Sequence, residues 1–204
     1  MGCQCTNTGN EKMINIDNII NEDDPNTAII SSFPVSDYTK KVFKLINKIR
    51  ENPTSFSSVI ENSVQYITSE KGRLIFSHKL KVALHRGIEA FQEAAEELRN
   101  TQPMSQLSFK DDIVIECPED ENSLKDVNIF KEKVLQKKEK CEIDAYFKDA
   151  LKEPEISVLL MIIDDAEKNS GKKRHAILNK DLKFIGISSA NVGNIFCAYL
   201  TFSK

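Results

Sequence analysis

The apolar residues Val42, Leu45, Ile46 and Ile49 recur at i, i+3, i+4 and i+7, the spacing that lines one face of an α-helix. Ser36 or Asp37 can cap this helix. Asn52-Pro53 stops it, because a residue before proline is driven out of the helical region. A short helical piece around 56–64 follows. Leu84, Ile88, Phe91, Ala95 and Leu98 then share one face of a further helix, with Glu93, Glu96, Glu97 and Arg99 mostly off it. Residues 100–112 have the composition of a loop, and Ile113, Ile115 and Cys117 alternate with their neighbours as a short strand does. The charged stretch 124–151 reads as helical, with Val127, Phe130 and Val134 spaced to face a core. Six consecutive apolar residues, 158–163, lie in a segment that Pro154 can open and Gly171 can follow, which predicts a helix buried on several sides.

Towards the C-terminus the period changes to two. Residues 183–188 and 195–202 are strand patterns joined by Ala190-Asn191-Val192-Gly193-Asn194, which is turn chemistry for a hairpin. In the second strand Phe196, Ala198, Leu200 and Phe202 point one way, Ile195 and Tyr199 the other. A strand apolar on both faces needs cover on both. The expected fold is α+β, a three-layer α/β/α sandwich with an antiparallel central sheet.

Charge divides the chain. Residues 1–36 hold one Lys and five acids, a net −4, so the other 168 residues carry 27 basic against 26 acidic groups. The first zone reads as a flexible acidic tether, 37–204 as the domain. A nearly neutral domain has no general attraction for nucleic acid. No apolar run approaches the roughly 18 residues that a membrane span needs. Five cysteines at 3, 5, 117, 141 and 197 are an odd set without close pairs in the domain, which fits a reducing, intracellular compartment. The start MGCQCTNTGN lacks the apolar core of a secretory signal.

Candidate chemistry is thin. The chain has no G-x-S-x-G elbow and no phosphate loop, and Cys117, Cys141 and Cys197 carry no sequence signal of activation. His85 and Glu89 stand at i, i+4 on the expected helix, but two ligands do not make a metal site. His78 and His175 read as structural or exposed. No catalytic residue, cofactor or metal is expected.

Two segments carry a family resemblance. On the first helix stands Leu45-Ile46-Asn47-Lys48-Ile49-Arg50, followed by Glu51-Asn52-Pro53. Later, Gly171-Lys172-Lys173-Arg174-His175-Ala176-Ile177-Leu178-Asn179 leads to Ile185-Gly186-Ile187. Together they resemble the CAP superfamily (sperm-coating protein, antigen 5, pathogenesis-related), with H-N-x-x-R on its first helix and G-H-R-x-N-I-L-N before a V/I-G-[VI] strand. Residues 74–80 and the helix after them resemble that family's L-x-W-x-x-x-L element, and Glu121-Asn122 its G-E-N. The resemblance spans about residues 38–204 and implies a CAP-like sandwich in which Asn47, Arg50, Arg174 and Asn179 are structural. The family's cleft commonly holds two His and two Glu. Here Ile46 and Lys173 occupy the two His positions; neither side chain has a lone pair to give a metal, so the family's cleft chemistry is not expected.

Met1-Gly2-Cys3-Gln4-Cys5-Thr6 satisfies M-G-x-x-x-[ST], so Gly2 is a candidate for myristoylation and Cys3 and Cys5 for palmitoylation. One myristoyl chain binds membranes marginally and a second makes anchoring stable; with Asp17, Glu22, Asp23 and Asp24 in the tether, attachment would rest on acyl chains and not on charge. The expected function is a non-enzymatic scaffold or protein-interaction module, intracellular and membrane-associated by acylation. A cilium is the suggested address, from that start and an excess of Lys, Ile and Asn typical of AT-rich protist genomes. The alternatives are a lipid- or sterol-binding module, favoured by an apolar groove walled by Ile46 and 158–163, and a hydrolase with an unrecognised cleft.

Overall fold

A computed structural model describes residues 35–166 and 171–204; Gly2, Cys3 and Cys5 lie outside the described residues. Ser36 opens helix α1 (Asp37–Glu51) by accepting a hydrogen bond from the Thr39 N–H. Asn52 acts twice. Its N–H closes α1 on the Lys48 carbonyl, and its side chain caps α2 (Pro53–Ser63), which proline begins. The chain then forms an antiparallel meander of β1 (Ile67–Glu70), β2 (Arg73–His78) and β3 (Leu80–Ala83). Helix α3 (Ile88–Asn100) follows, so Leu84 and His85 precede it.

The remaining elements are β4 (Ser108–Phe109), α4 (Glu121–Lys125), α5 (Val127–Lys138), β5 (Ala145–Asp149), α6 (Pro154–Ile163), α7 (Lys172–Ile177), β6 (Phe184–Val192) and β7 (Ile195–Ser203). Three expectations need correction. The stretch 124–151 is not one helix: Asp120 and Asp126 each accept backbone N–H groups and start separate helices, and β5 ends the stretch. Residues 113–117 are not a strand. Their carbonyls go to side chains instead of a ladder, Thr201 Oγ1 donating to Ile113 O at 2.7 Å and Ser188 Oγ to Ile115 O at 2.6 Å. The segment thus crosses the sheet face, and Gly186 makes room for it, since a Cβ there would stand 2.9 Å from the Val114 nitrogen.

The third correction concerns the sheet, whose order is β4-β6-β7-β5. β6 and β7 form the expected hairpin, from Phe184↔Ser203 to Val192↔Ile195, with Gly193 at φ 60° in the turn where glycine has no steric cost. β5 pairs antiparallel with β7. β4, however, runs parallel to β6, so the sheet is mixed and not antiparallel throughout. A parallel neighbour needs a long crossover, and α4, α5, β5, α6 and α7 all lie between β4 and β6.

Alternation along β7 divides the interior. Ala198, Leu200 and Phe202 join Ile185 and Ile187 in a large core built with α1, α2, α3 and α6. Cys197 and Tyr199 face the other way, into a smaller core with Ile113, Ile115, Leu124, Phe130, Val134 and Ile143. Residues 158–163 are almost wholly enclosed, as their unbroken apolar run requires.

Phe202 sits in the larger core with no exposed surface, on a strand paired along both edges. Phe202→Ala should lower unfolding free energy by about 3–5 kcal/mol in urea titration. Leu135→Ala, at a side chain 62% exposed, should change it by less than about 0.5 kcal/mol.

Candidate functional site

The two family-motif arginines are buried and act on backbone. Arg50, on the inner face of α1 and without exposed surface, donates from Nε to Ser105 O (2.8 Å), from Nη1 to Ile177 O (2.7 Å) and Asn179 O (3.0 Å), and from Nη2 to Leu182 O (3.1 Å). Burial lowers its pKa to about 10, so it keeps its charge at neutral pH. One turn earlier, the Asn47 amide pairs with Leu107 in both directions, accepting from its N–H at 2.8 Å and donating to its carbonyl at 3.0 Å.

Arg174 lies on α7. Its Nη1 donates to the Ile162 and Ile163 carbonyls at the end of α6, each at 3.0 Å, while Nε reaches Glu97 and Nη2 reaches Glu93, both at 2.6 Å, on α3. Three helices are thus joined by one guanidinium fork. A hydrogen bond from Arg86, and then the charge and donors of Arg174, hold the Glu93 carboxyl below its ordinary range. Asn179 serves its own turn, accepting from the Asp181 N–H at 2.9 Å.

Ile46 and Lys173 are not brought together. Ile46 is fully enclosed in the large core, where α1 packs on α6. Lys173 stands at the start of α7, its Nζ 5.9 Å from the centre of the Phe147 ring, and lines an open pocket of about 350 Å³ with Asp144, Tyr146, Phe147, Asp164 and Lys172. The pocket follows the outer edge of β5, which among the described residues has a strand neighbour only on its β7 side. Its two acids are engaged within the fold: Asp164 Oδ2 accepts from the Lys173 N–H at 2.9 Å, and Asp144 Oδ2 from the Lys204 N–H at 3.0 Å.

Sites that sequence reasoning weighed as chemical have other roles. His85 precedes α3, so it does not stack on Glu89; its N–H and those of Arg86 and Gly87 all donate to the Asp165 carboxylate. Glu121 Oε1 accepts from the Asn194 N–H at 3.2 Å, fixing the β6–β7 turn. No group of three or more His, Cys, Asp or Glu side chains converges as a metal site among the described residues. A buried chain that the sequence did not reveal runs from Tyr38 Oη to Ser157 Oγ (2.8 Å) and on to Asp149 Oδ2 (2.6 Å). It contains no imidazole. Burial, and then the Asp149 charge, raise Tyr38 far above its ordinary value, so the chain ties α1, α6 and β5 together as neutral donors on one carboxylate.

Cys117 also departs from expectation. Its thiol donates to the Cys197 carbonyl at 3.5 Å, and the neighbouring Cys197 side chain lowers its pKa to about 7, with burial opposing and the Ser188 hydroxyl assisting. Period two places 113, 115 and 117 on one side of their segment, but nothing in the sequence says that this side meets Cys197.

No family model, no curated protein and no solved structure matches this chain.

Arg50→Met would strand four carbonyls in the interior and should cost at least about 3 kcal/mol by chemical denaturation, with Arg50→Lys recovering only part. The Glu93 interaction fixes a sign in pH. Because its folded pKa is depressed, its stabilisation is present above the ordinary value of 4.5 and is lost as pH falls through the folded value. Wild type should therefore lose Tm more steeply than Glu93→Gln as pH falls from 4.5 through the folded value, and the two curves should converge below it.

Proposed function

We propose that this chain is a divergent CAP-like three-layer sandwich that acts as a non-enzymatic interaction module, intracellular and held at a membrane by acylation of Gly2, Cys3 and Cys5. The observation that carries the interaction reading is the pocket along the open edge of β5. An extended segment of a protein partner can add there as a further strand, its backbone groups meeting those that β5 leaves unpaired by the sheet. Tyr146 is 37% exposed, Lys138 lies 5.5 Å from the centre of its ring, and Lys172 and Lys173 form the opposite wall. Lys138, Lys172 and Lys173 outnumber Asp144 and Asp164, and Asp144 also has Lys204 Nζ at 3.8 Å, so the charge balance favours an acidic segment.

The lipid alternative lacks the groove it would need, because Ile46 and residues 158–163 are packed into one core. The hydrolase alternative finds little support among the described residues, since Glu93 and Glu97 are held by Arg174, His175 beside Glu97 is exposed, and Ser157 is enclosed without an imidazole. No helix among the described residues is long and apolar enough to cross a membrane. Attachment through an acylated tether needs none, and a ciliary membrane is the suggested address.

A photo-crosslinker at Tyr146, used in native cells, should give recurrent adducts with one partner. Lys173→Glu should reduce their yield several-fold. A pattern indistinguishable from that of a crosslinker at Leu135, on the exposed face of α5, would overturn the reading. For the anchor, Gly2→Ala should move the protein to the soluble fraction, whereas Cys3→Ser with Cys5→Ser should leave weak, reversible binding; wild type found wholly soluble would sink it.

A further inference from the structure

Three thiols lie among the described residues, Cys117, Cys141 and Cys197, and none is in a disulfide. All three border or enter the smaller core. Their surroundings differ. Cys197 is on β7, in register with Ala190 on β6 and without exposed surface. Cys117 belongs to the segment that crosses the face of those two strands, pinned first by Thr201 at Ile113 and then by Ser188 at Ile115. The crossing lets the Cys117 thiol donate to the Cys197 carbonyl at 3.5 Å and sets its sulfur 3.5 Å from Ser188 Oγ. Cys117 is half-buried, so it has a route to solvent that Cys197 lacks. Cys141 instead donates to the Asp112 carbonyl at 3.2 Å.

We infer that Cys117 and Cys197 are a peroxide-responsive thiol pair, in which Cys117 is oxidised first and Cys197 closes the disulfide. The division of roles follows from position. An oxidant from solution meets the half-exposed sulfur, and the enclosed thiol beside it can resolve the product before further oxidation. Cys117 is also the better nucleophile near neutrality, because its surroundings lower its pKa to about 7, while the neighbouring Cys117 and burial push that of Cys197 up. Lys133 adds a favourable charge and Glu116 an opposing one.

The chemistry balances. The Cys117 thiolate attacks one oxygen of hydrogen peroxide; the S–O bond forms as the O–O bond breaks, and the departing hydroxide takes a proton to become water. The sulfur of Cys197 then attacks the sulfenic sulfur, giving its proton to the leaving hydroxide, so that the S–S bond forms and a second water departs. Two thiols lose two electrons and the peroxide gains them. A dithiol reductant reverses the bond by exchange, first at the more accessible Cys117 sulfur. The bond would fasten the crossing segment to β7 and close a long loop, which restrains the unfolded chain.

The full-length protein, reduced and then treated with hydrogen peroxide, tests this by non-reducing peptide mass mapping. The expected product joins the peptides of Cys117 and Cys197, about 2 Da below the sum of the two thiol peptides, with Cys141 still open to alkylation. The melting midpoint should rise and return when a dithiol is added. In Cys197→Ala, Cys117 should stop at a sulfenic acid that dimedone traps, with no cross-link; circular dichroism reports whether this variant is folded, and the wild-type map stands without it. A Cys117–Cys141 or intermolecular bond, overoxidation of Cys117 in wild type without a cross-link, or a Cys117 no more reactive than Cys141 would each overturn the assignment.

Discussion

A single positive charge without exposed surface organises the larger core. Desolvating a guanidinium costs several kcal/mol, and Arg50 recovers that only because four carbonyls from three separate stretches of chain converge on it. Those stretches are the approach to β4, the end of α7 and the approach to β6. The parallel pairing of β4 with β6 is only two residues long, too short to define itself, and Arg50 holds both strand entries to α1. Asn47 repeats the pattern at Leu107. Arg174 does for α3, α6 and α7 what Arg50 does for the strands, with the difference that two carboxylates share the work.

The sheet between the two cores determines where anything can bind or react. On the larger side, α1 packs on α6 and Ile46 is fully enclosed between them. Space is left at the margins, where β5 has no further strand among the described residues and α7 lines an open pocket beside it. On the smaller side the cover is partly an irregular segment held by hydroxyl groups of the sheet, and the half-exposed thiol is found on that segment. The molecule is closed at its centre and open at an edge and a rim, an arrangement that suits contact with other molecules better than enclosure of a small substrate.

Much of this was written in the sequence wherever one face of an element is buried throughout. α1, the body of α3, α6 and the β6–β7 hairpin each bury a continuous stripe, and burial imposes the period. The meander was hidden for the opposite reason. Among its strands only Phe76 is buried, so no alternation betrays them. β5 sits at an edge, with Tyr146 and Lys148 exposed, and its charged surroundings read as helix. The candidate sites were less legible than the fold. Asn47, Arg50 and Arg174 stood out through a motif, but most of their partners are backbone groups, which every residue has. The neighbours that give Lys173 and Cys117 their settings, Phe147 and Cys197, are distant in sequence, and no local pattern encodes those meetings.

β7, which joins β5 to the rest of the sheet, leaves the ribosome long after α1. α1 ends at Glu51 and β7 begins at Ile195, so at about 5–20 residues per second the inner face of α1 waits roughly 7–30 s for its partners. During that interval Val42, Leu45, Ile46 and Ile49 can rest only against α2 and α3, and the Arg50 charge stays in water. Before then the sheet can offer only the two-residue β4–β6 pairing, since among the described strands β5 has no neighbour to join until β7 arrives to lie between it and β6. Nascent chains should therefore depend on chaperones that shield an apolar helical surface until β7 has emerged, and a stall before Ile195 would yield a product prone to aggregation, not a smaller stable domain.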